Sequence, residues 1–207
     1  MWHSITPELI AKEHARIFKA VVTDGILLDP FCGYGSDILY QGTRLFAIGC
    51  DINEERLLQA RRIRDRLSKN RADYVVADFV RGKSCFRESH VFDLVHLSPP
   101  WGHVGIRNRK IEKGAFGSRR LHQLTVDGTR VFQNALKLVK RDNIAYYLPR
   151  GIYEPDLIRL ATLTRNTLSI VAQVHYSYDP NDETVPKEKQ LKMRGMTVYF
   201  GDLSNQL

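Results

Sequence analysis

Cysteine is scarce in this chain. Cys32, Cys50 and Cys85 are the only three in 207 residues, and no two form a C-x-x-C pair. That spacing supports neither a disulfide framework nor a zinc site, so no metal is expected and a reducing, intracellular compartment fits. Long apolar runs are also missing. None approaches the roughly 18 residues that a membrane span requires, so no membrane partner is expected. The opening residues, Met1-Trp2-His3-Ser4-Ile5-Thr6-Pro7-Glu8, carry no leader-like pattern of basic residues followed by an apolar core. There is no internal repeat, low-complexity tract or linker. The chain therefore reads as one domain over residues 1–207, with residues 1–24 as a helical segment packing on it. Acidic residues are in deficit: 23 Asp and Glu face 31 Lys and Arg, a net charge of +8. Such an excess favours a polyanionic partner such as nucleic acid, although charge by itself is not specific.

What is present is a regular alternation of elements. Thr6-Pro7-Glu8 reads as a helix start, with Thr6 as N-cap and Pro7 at the first helical position. Ile10, His14, Ile17 and Val21 follow at helical spacing. Residues 25–29 form a short apolar strand, and residues 30–36 a glycine-bearing turn. A short helix then runs to Gln41, with Gly42 as its C-cap. Residues 44–50 make a second strand ending at Asp51. The next helix, 53–67, puts Leu57, Ala60, Ile63 and Leu67 on one side. A third strand, 73–77, ends at Asp78, and a fourth spans 91–97. Residues 128–140 are an amphipathic helix, 144–148 a fifth strand, and 154–164 a further helix. Two late strands, 168–176 and 196–200, flank a Lys-rich connection. The segment 102–125 shows no periodicity and exceeds an ordinary connection, which marks a functional loop or a lid. Strands alternating with helices predict an α/β fold: a mostly parallel seven-stranded sheet with an antiparallel C-terminal strand and helices on both faces.

Three strands in succession end in a carboxylate, at Asp29, Asp51 and Asp78. Ligands of doubly wound sheets bind at the carboxyl ends of the strands, so these side chains converge on one crevice. Gly33-Tyr34-Gly35 lets the backbone approach a ligand closely. Asp51, roughly twenty residues beyond Asp29, stands where an acidic residue accepts the ribose hydroxyls of an adenosine. A dinucleotide would want G-x-G-x-x-G, but Ile38 occupies the place of the third glycine. A carboxylate just before the turn also repels a pyrophosphate. S-adenosyl-L-methionine, which has an ammonium and no phosphate, suits these residues better. Cys32 has no base paired with it and reads as a packing residue.

Ser98-Pro99-Pro100-Trp101 follows the fourth strand. Two prolines end the ladder, stiffen the exit and leave carbonyls with few competing N–H groups. A planar amine could donate its hydrogens there, beside the flat face of Trp101.

With that tetrapeptide the chain resembles the trimethylguanosine synthase family, RNA cap guanine-N2 methyltransferases with a Rossmann-like class I fold. Trp2-His3-Ser4-Ile5-Thr6-Pro7-Glu8 is similar to the family's W-F-S-V-T-P-E, and Asp29-Pro30-Phe31-Cys32-Gly33-Tyr34-Gly35 to its D-A-F-C-G-x-G. Asp78-Phe79 matches G-D-F apart from Ala77. Leu97-Ser98-Pro99-Pro100-Trp101-Gly102 matches L-S-P-P-W-G, Tyr147-Leu148-Pro149-Arg150 is similar to F-L-P-R, and Tyr199-Phe200-Gly201-Asp202-Leu203 matches A-Y-F-G-D-L. The resemblance implies a cofactor site of Thr6, Pro7, Glu8, Asp29, Phe31, Cys32, Gly33, Gly35, Asp51, Ile52, Asp78, Phe79 and Ser98.

It also implies transfer of a methyl group to the exocyclic N2 of a 7-methylguanosine cap, with S-adenosyl-L-homocysteine as co-product and one or two methyl groups added. The catalytic residues implied are Ser98, Pro99, Pro100 and Trp101. Trp101 would stack on the cationic base, worth roughly 0.5–2 kcal/mol, and Arg150 would hold the cap phosphates. Arg62 on the arginine-rich helix, and Arg107 and Arg109 in the basic loop, are further candidates for RNA contact. The substrates implied are capped small nuclear or nucleolar RNAs, met by a monomer in the nucleus, the nucleolus or the cytoplasm. Other readings of the same residues are methylation of an internal guanine N2 or adenine N6, or a cap-binding module without catalysis. The family's usual segment upstream of W-F-S-V-T-P-E does not precede it in this sequence, and His103 stands where a second glycine is common.

Overall fold

The structure is a computed structural model. It describes residues 6–43, 45–67, 70–81, 86, 89–101, 119–165, 170–178 and 191–206. The Trp2–Ile5 stretch, Cys85, Arg107, Arg109 and most of the basic loop and the Lys-rich connection lie outside the described residues.

Seven strands form one sheet: β1 (Ile26–Asp29), β2 (Phe46–Asp51), β3 (Ala72–Val76), β4 (Leu94–Leu97), β5 (Ile144–Pro149), β6 (Val171–Tyr178) and β7 (Leu191–Tyr199). Their order is β3-β2-β1-β4-β5-β7-β6. Strands β1 to β5 pair in parallel, while β7 runs antiparallel between β5 and β6. The order reverses between β1 and β4, the switch point at which sheets of this type open a crevice.

The helices are α1 (Glu8–Val21), α2 (Ser36–Gln41), α3 (Glu54–Asp65), α4 (Gly128–Leu138) and α5 (Glu154–Ala161). Alternate residues of each central strand face opposite sides, as the two-residue pleat requires. Leu28, Val95, Ile144, Tyr146 and Val198 pack on one side with Val131, Phe132 and Ala135 of α4 and Leu157 and Leu160 of α5. Leu27, Leu94, Ala145 and Tyr199 pack on the other with Ile17 and Phe18 of α1, Ile38 of α2 and Leu57 and Ala60 of α3. Helices therefore cover both faces.

Local chemistry accounts for the differences from the sequence reading. Helix α1 starts one residue later than expected, because the Pro7 carbonyl accepts the first turn's bonds from Ile10 and Ala11. Thr6 is not the N-cap; its hydroxyl bonds Asp37 instead. Helix α3 is capped by Asn53, whose side chain accepts from the Arg56 N–H at 3.0 Å. It stops at Asp65, so Ile63 and Leu67 are 38% and 45% exposed rather than buried. Strand β3 is the sheet edge, and Arg61 and Arg64 reach across to donate to the carbonyls of Tyr74 and Ala72. Strand β4 begins only at Leu94. Phe92 makes a single bridge to Val139, and the Asp93 carboxylate accepts from the Ile26 N–H at 2.9 Å. Strand β7 starts earlier than expected, at Leu191, within what reads as a polar connection.

Candidate active site

Because β1 to β5 are parallel, their carboxyl ends lie along one margin of the sheet. Following the strand order, that margin presents Asp78 beyond β3, Asp51 at the end of β2, Asp29 at the end of β1, Ser98 beyond β4 and Arg150 beyond β5. The switch point divides this row. Carboxylates stand on one side, with Arg56 beside Asp51 and Arg81 beside Asp78, and the proline pair, an indole and further guanidiniums on the other.

On the carboxylate side, the turn from Cys32 to Gly35 is held to β2. Cys32 N–H donates to the Cys50 carbonyl at 2.8 Å, and Gly33 N–H to Asp51 Oδ2 at 3.1 Å. Asp51 Oδ1 accepts from the Asn53 N–H at 2.8 Å, so the same carboxylate fixes the glycine turn and the entry to α3. Gly33 and Gly35 have φ of +56° and +79°, in the left-handed region that favours glycine. A Cβ on Gly35 would sit 3.0 Å from the Tyr74 hydroxyl, whereas one on Gly33 would meet nothing closer than Asp51 Oδ2 at 4.0 Å. Gly35 is thus packed against the protein, and Gly33 faces open space. Asp78 caps its own turn, accepting from Val80 and Arg81 N–H groups, and its side chain remains 27% exposed. Phe79 packs edge-on against Phe31 with ring centroids 5.7 Å apart. Ile52 is exposed beside Asp51. Cys32 is buried, and burial followed by the charges of Asp29 and Asp51 pushes its thiol far up, which leaves it inert as a nucleophile.

Asp29 differs from the other two. It is 0% exposed; Oδ1 accepts from the Phe31 N–H at 3.1 Å and Oδ2 turns inward, 3.6 Å from His96 Nδ1. Burial raises its carboxyl above the ordinary range.

Across the switch point, Ser98 is half-buried, Pro99 buried and Pro100 exposed. Trp101 donates its Nε1–H to the Tyr147 carbonyl at 3.2 Å and packs edge-on against the Tyr147 ring at 4.8 Å. The indole is thereby pinned along one edge and stays partly exposed. Arg150 is exposed at the end of β5. Arg119, from the 102–125 segment, is brought beside it by backbone pairing. Arg119 N–H donates to the Gly151 carbonyl at 3.0 Å, and Tyr153 N–H to the Arg119 carbonyl at 2.9 Å. Burial and then the nearby charge of Arg150 pull the Arg119 guanidinium below its ordinary range. Asp156 holds this strap in place, pairing with the Arg120 guanidinium at 2.9 Å and accepting from the Leu121 N–H at 3.0 Å.

Arg62 is not brought to this group. Helix α3 packs on β3 and β2, at the opposite end of the sheet from β5, and Arg62 points to solvent there. Thr6, Pro7 and Glu8 lie at the start of α1, which packs against α2; Glu8 is exposed and paired with Lys12. The structure also buries a group that no motif announced: His14, Asp37, His96, His175 and Thr197 on the α1 side of the sheet. The one available signal was a histidine within an apolar stripe, at His14, and another inside a buried strand, at His96.

The donor set fits an adenosine-bearing cation. Asp51 is an anchored acceptor beside an open glycine, Asp78 and Phe79 offer a carboxylate and an aromatic edge, and Arg56, whose guanidinium lies 6.0 Å from the Tyr34 ring, is paired with Asp51 Oδ2 at 3.7 Å. The architecture is similar to that of a SAM-dependent O-methyltransferase from Thermotoga maritima, at 14% identity and TM-score 0.61, covering 95% of this chain and 65% of that one. It is similar too to an rRNA methylase from Streptococcus thermophilus (11% identity, TM-score 0.53, 91% and 93% covered). A third likeness is a magnesium protoporphyrin IX methyltransferase from Synechocystis with bound SAM (10% identity, TM-score 0.57, 93% and 78% covered). A family model described as RNA cap guanine-N2 methyltransferase matches residues 24–202. The chain belongs to that family, and S-adenosyl-L-methionine is its methyl donor.

Proposed function

We propose that the protein methylates the exocyclic N2 of a 7-methylguanosine cap on RNA. The observation that carries this reading is the grouping of Trp101, Arg119 and Arg150 across the switch point from the donor carboxylates. An N7-methylated guanine is a flat cation, which an indole face attracts, and its triphosphate bridge is a polyanion, which paired guanidiniums attract. The edge pinning of Trp101 on Tyr147 orients the ring before any ligand arrives, so little side-chain freedom is lost on binding.

The donor supplies an electrophilic methyl group on a sulfonium. Asp51, anchored by the Gly33 N–H, would accept the ribose hydroxyls, Asp78 would accept the adenine amine, and the packed Phe31 and Phe79 rings would line the base. Backbone carbonyls of Ser98 and Pro99 accept the N2 hydrogens and aim the nitrogen lone pair. Catalysis then comes from alignment rather than from a covalent intermediate. The positive charge at N7 acidifies the purine, which relieves the need for a strong general base. The substrates proposed are capped small nuclear or nucleolar RNAs.

The test is incubation of the protein and donor with 7-methylguanosine-capped and unmethylated cap dinucleotides, followed by mass spectrometry. A mass gain on the first alone is expected. Equal gain on both, or gain only on the unmethylated dinucleotide, overturns the cap reading while leaving the methyl-donor assignment standing.

A further inference from the structure

Behind the donor turn, the α1 side of the sheet carries a closed polar cluster. His14 of α1, Asp37 of α2 and His96 of β4 are 0%, 4% and 0% exposed. One ligand-capable atom from each lies within 4.8 Å of the others. His14 Nδ1, Asp37 Oδ1 and His96 Nε2 have no hydrogen-bond partner among the described residues. Three unpartnered polar atoms in one buried place are a liability that native interiors rarely tolerate.

The surrounding bonds say what is missing. His14 Nε2 lies 2.7 Å from the Thr197 hydroxyl, which lies 2.8 Å from His175 Nε2. One order that satisfies all three atoms is His14 Nε2–H donating to Thr197 Oγ1 and the Thr197 hydroxyl donating to His175 Nε2. His14 Nδ1 is then a bare lone pair. It faces Asp37 Oδ1 at 3.6 Å, whereas an intervening N–H would draw the pair to about 2.8 Å. On the far side, the Gln41 amide lies 2.9 Å from His96 Nδ1 while Gln41 Oε1 has no partner among the described residues. Turning that amide over lets Gln41 Oε1 accept from His96 Nδ1–H, which leaves His96 Nε2 as a second imidazole lone pair. Asp29, also fully buried, sits 3.6 Å from the same ring. Among the described residues, the ion-pair partners of Asp29 and Asp37 are these two histidines and no Lys or Arg.

We propose that this cluster is a metal site: a first-row divalent cation of the zinc type, held by His14 Nδ1, Asp37 Oδ1 and a ring nitrogen of His96. Two imidazoles and a carboxylate are a borderline-soft donor set of the kind that zinc takes. A tetrahedral zinc site spaces its ligand atoms roughly 3.3 Å apart, so the His14–Asp37 pair is nearly at that spacing and His96 closes in on binding. Gln41 and Thr197 act behind the ligands, fixing the two rings through their other nitrogens. A dication also balances the paired negative charge of Asp37 and Asp29. The ion would tie α1 to α2, which follows directly on the glycine turn, and to β4 two residues before Ser98. No spacing in the sequence announces this set, because the three residues come from three separate elements.

The test uses tag-free, full-length protein stripped with chelator. Titration with Zn²⁺ and desalting should leave one equivalent bound, and the melting temperature should rise by about 5 °C. Co²⁺ should show d–d absorption without a thiolate charge-transfer band, since Cys32 and Cys50 are not ligands. D37N replaces a lone pair with an N–H donor opposite His14 Nδ1; it should melt no lower than the stripped wild type and lose the zinc-induced rise. Retention below about a tenth of an equivalent, absence of the shift, a thiolate band, or an equal shift in D37N overturns the proposal. The wild-type stoichiometry and the cobalt spectrum decide the question even if D37N fails to fold.

Discussion

The two halves of the crevice are built on different principles. The donor half is local. Its glycine turn, Asp51, Asn53 and the start of α3 lie within a short stretch of chain and are tied by backbone N–H groups donating to one carboxylate. The acceptor half is assembled from afar. Trp101 follows β4, its anchor Tyr147 lies in β5, and Arg119 reaches Arg150 only by pairing with the Gly151–Tyr153 backbone. A site that grips a constant cofactor can be encoded in one turn. A site that grips a large, charged substrate needs residues spread over the width of that substrate, and only several chain segments together supply them.

Substitutions should separate the halves. The largest effect is expected at Trp101. Trp101→Ala removes a stacking face worth roughly 1–3 kcal/mol and should lower kcat/KM for capped RNA by about 10- to 100-fold. Binding of S-adenosyl-L-homocysteine, measured by calorimetry, should stay within about twofold of wild type. A matching loss of that binding would show that the halves are not separable. Asp51→Ala is the converse. It deletes a charged acceptor worth roughly 1.5–3 kcal/mol, so S-adenosyl-L-homocysteine affinity should fall by about tenfold or more while retention on an immobilised cap is kept.

Gly35→Ala comes next. A side chain at φ +79° costs roughly 1–2 kcal/mol, and its Cβ would press on the Tyr74 hydroxyl. Donor affinity should drop several-fold with a melting temperature lower by about 2–6 °C; unchanged melting would mean that the turn relaxes freely. The smallest effect belongs to Arg119→Gln. It should weaken capped-RNA binding by a few-fold and reduce the slope of log affinity against log salt by about one, without altering donor binding. An unchanged slope would remove Arg119 from the phosphate grip.

The sequence-to-structure comparison follows the same division. The strand ends, the glycine turn and the alternation of elements were legible because each depends on neighbours in the chain: a two-residue pleat, a helical stripe, a left-handed turn. Legibility failed where a distant partner decided. Ile63 and Leu67 extend the apolar stripe of α3, yet the sheet ends at β3 and leaves them nothing to cover, while Arg61 and Arg64 take the edge carbonyls. Thr6 has the chemistry of an N-cap, but Asp37 competes for its hydroxyl. Asp29 reads as one of three equivalent carboxylates, and only packing turns it inward to His96.

The sequence by itself therefore determined the α/β class, the glycine turn with its strand-end carboxylates and the aromatic beside the proline pair, since those are written in local periodicity and turn chemistry. Tertiary structure alone decided which arginine stands beside Arg150, which way Asp29 turns, and that His14, Asp37 and His96 meet in one buried cluster. Those outcomes rest on the parallel pairing of strands far apart in the chain. Strand pairing sets where a side chain ends up but leaves no mark on the residues that lie next to it in sequence.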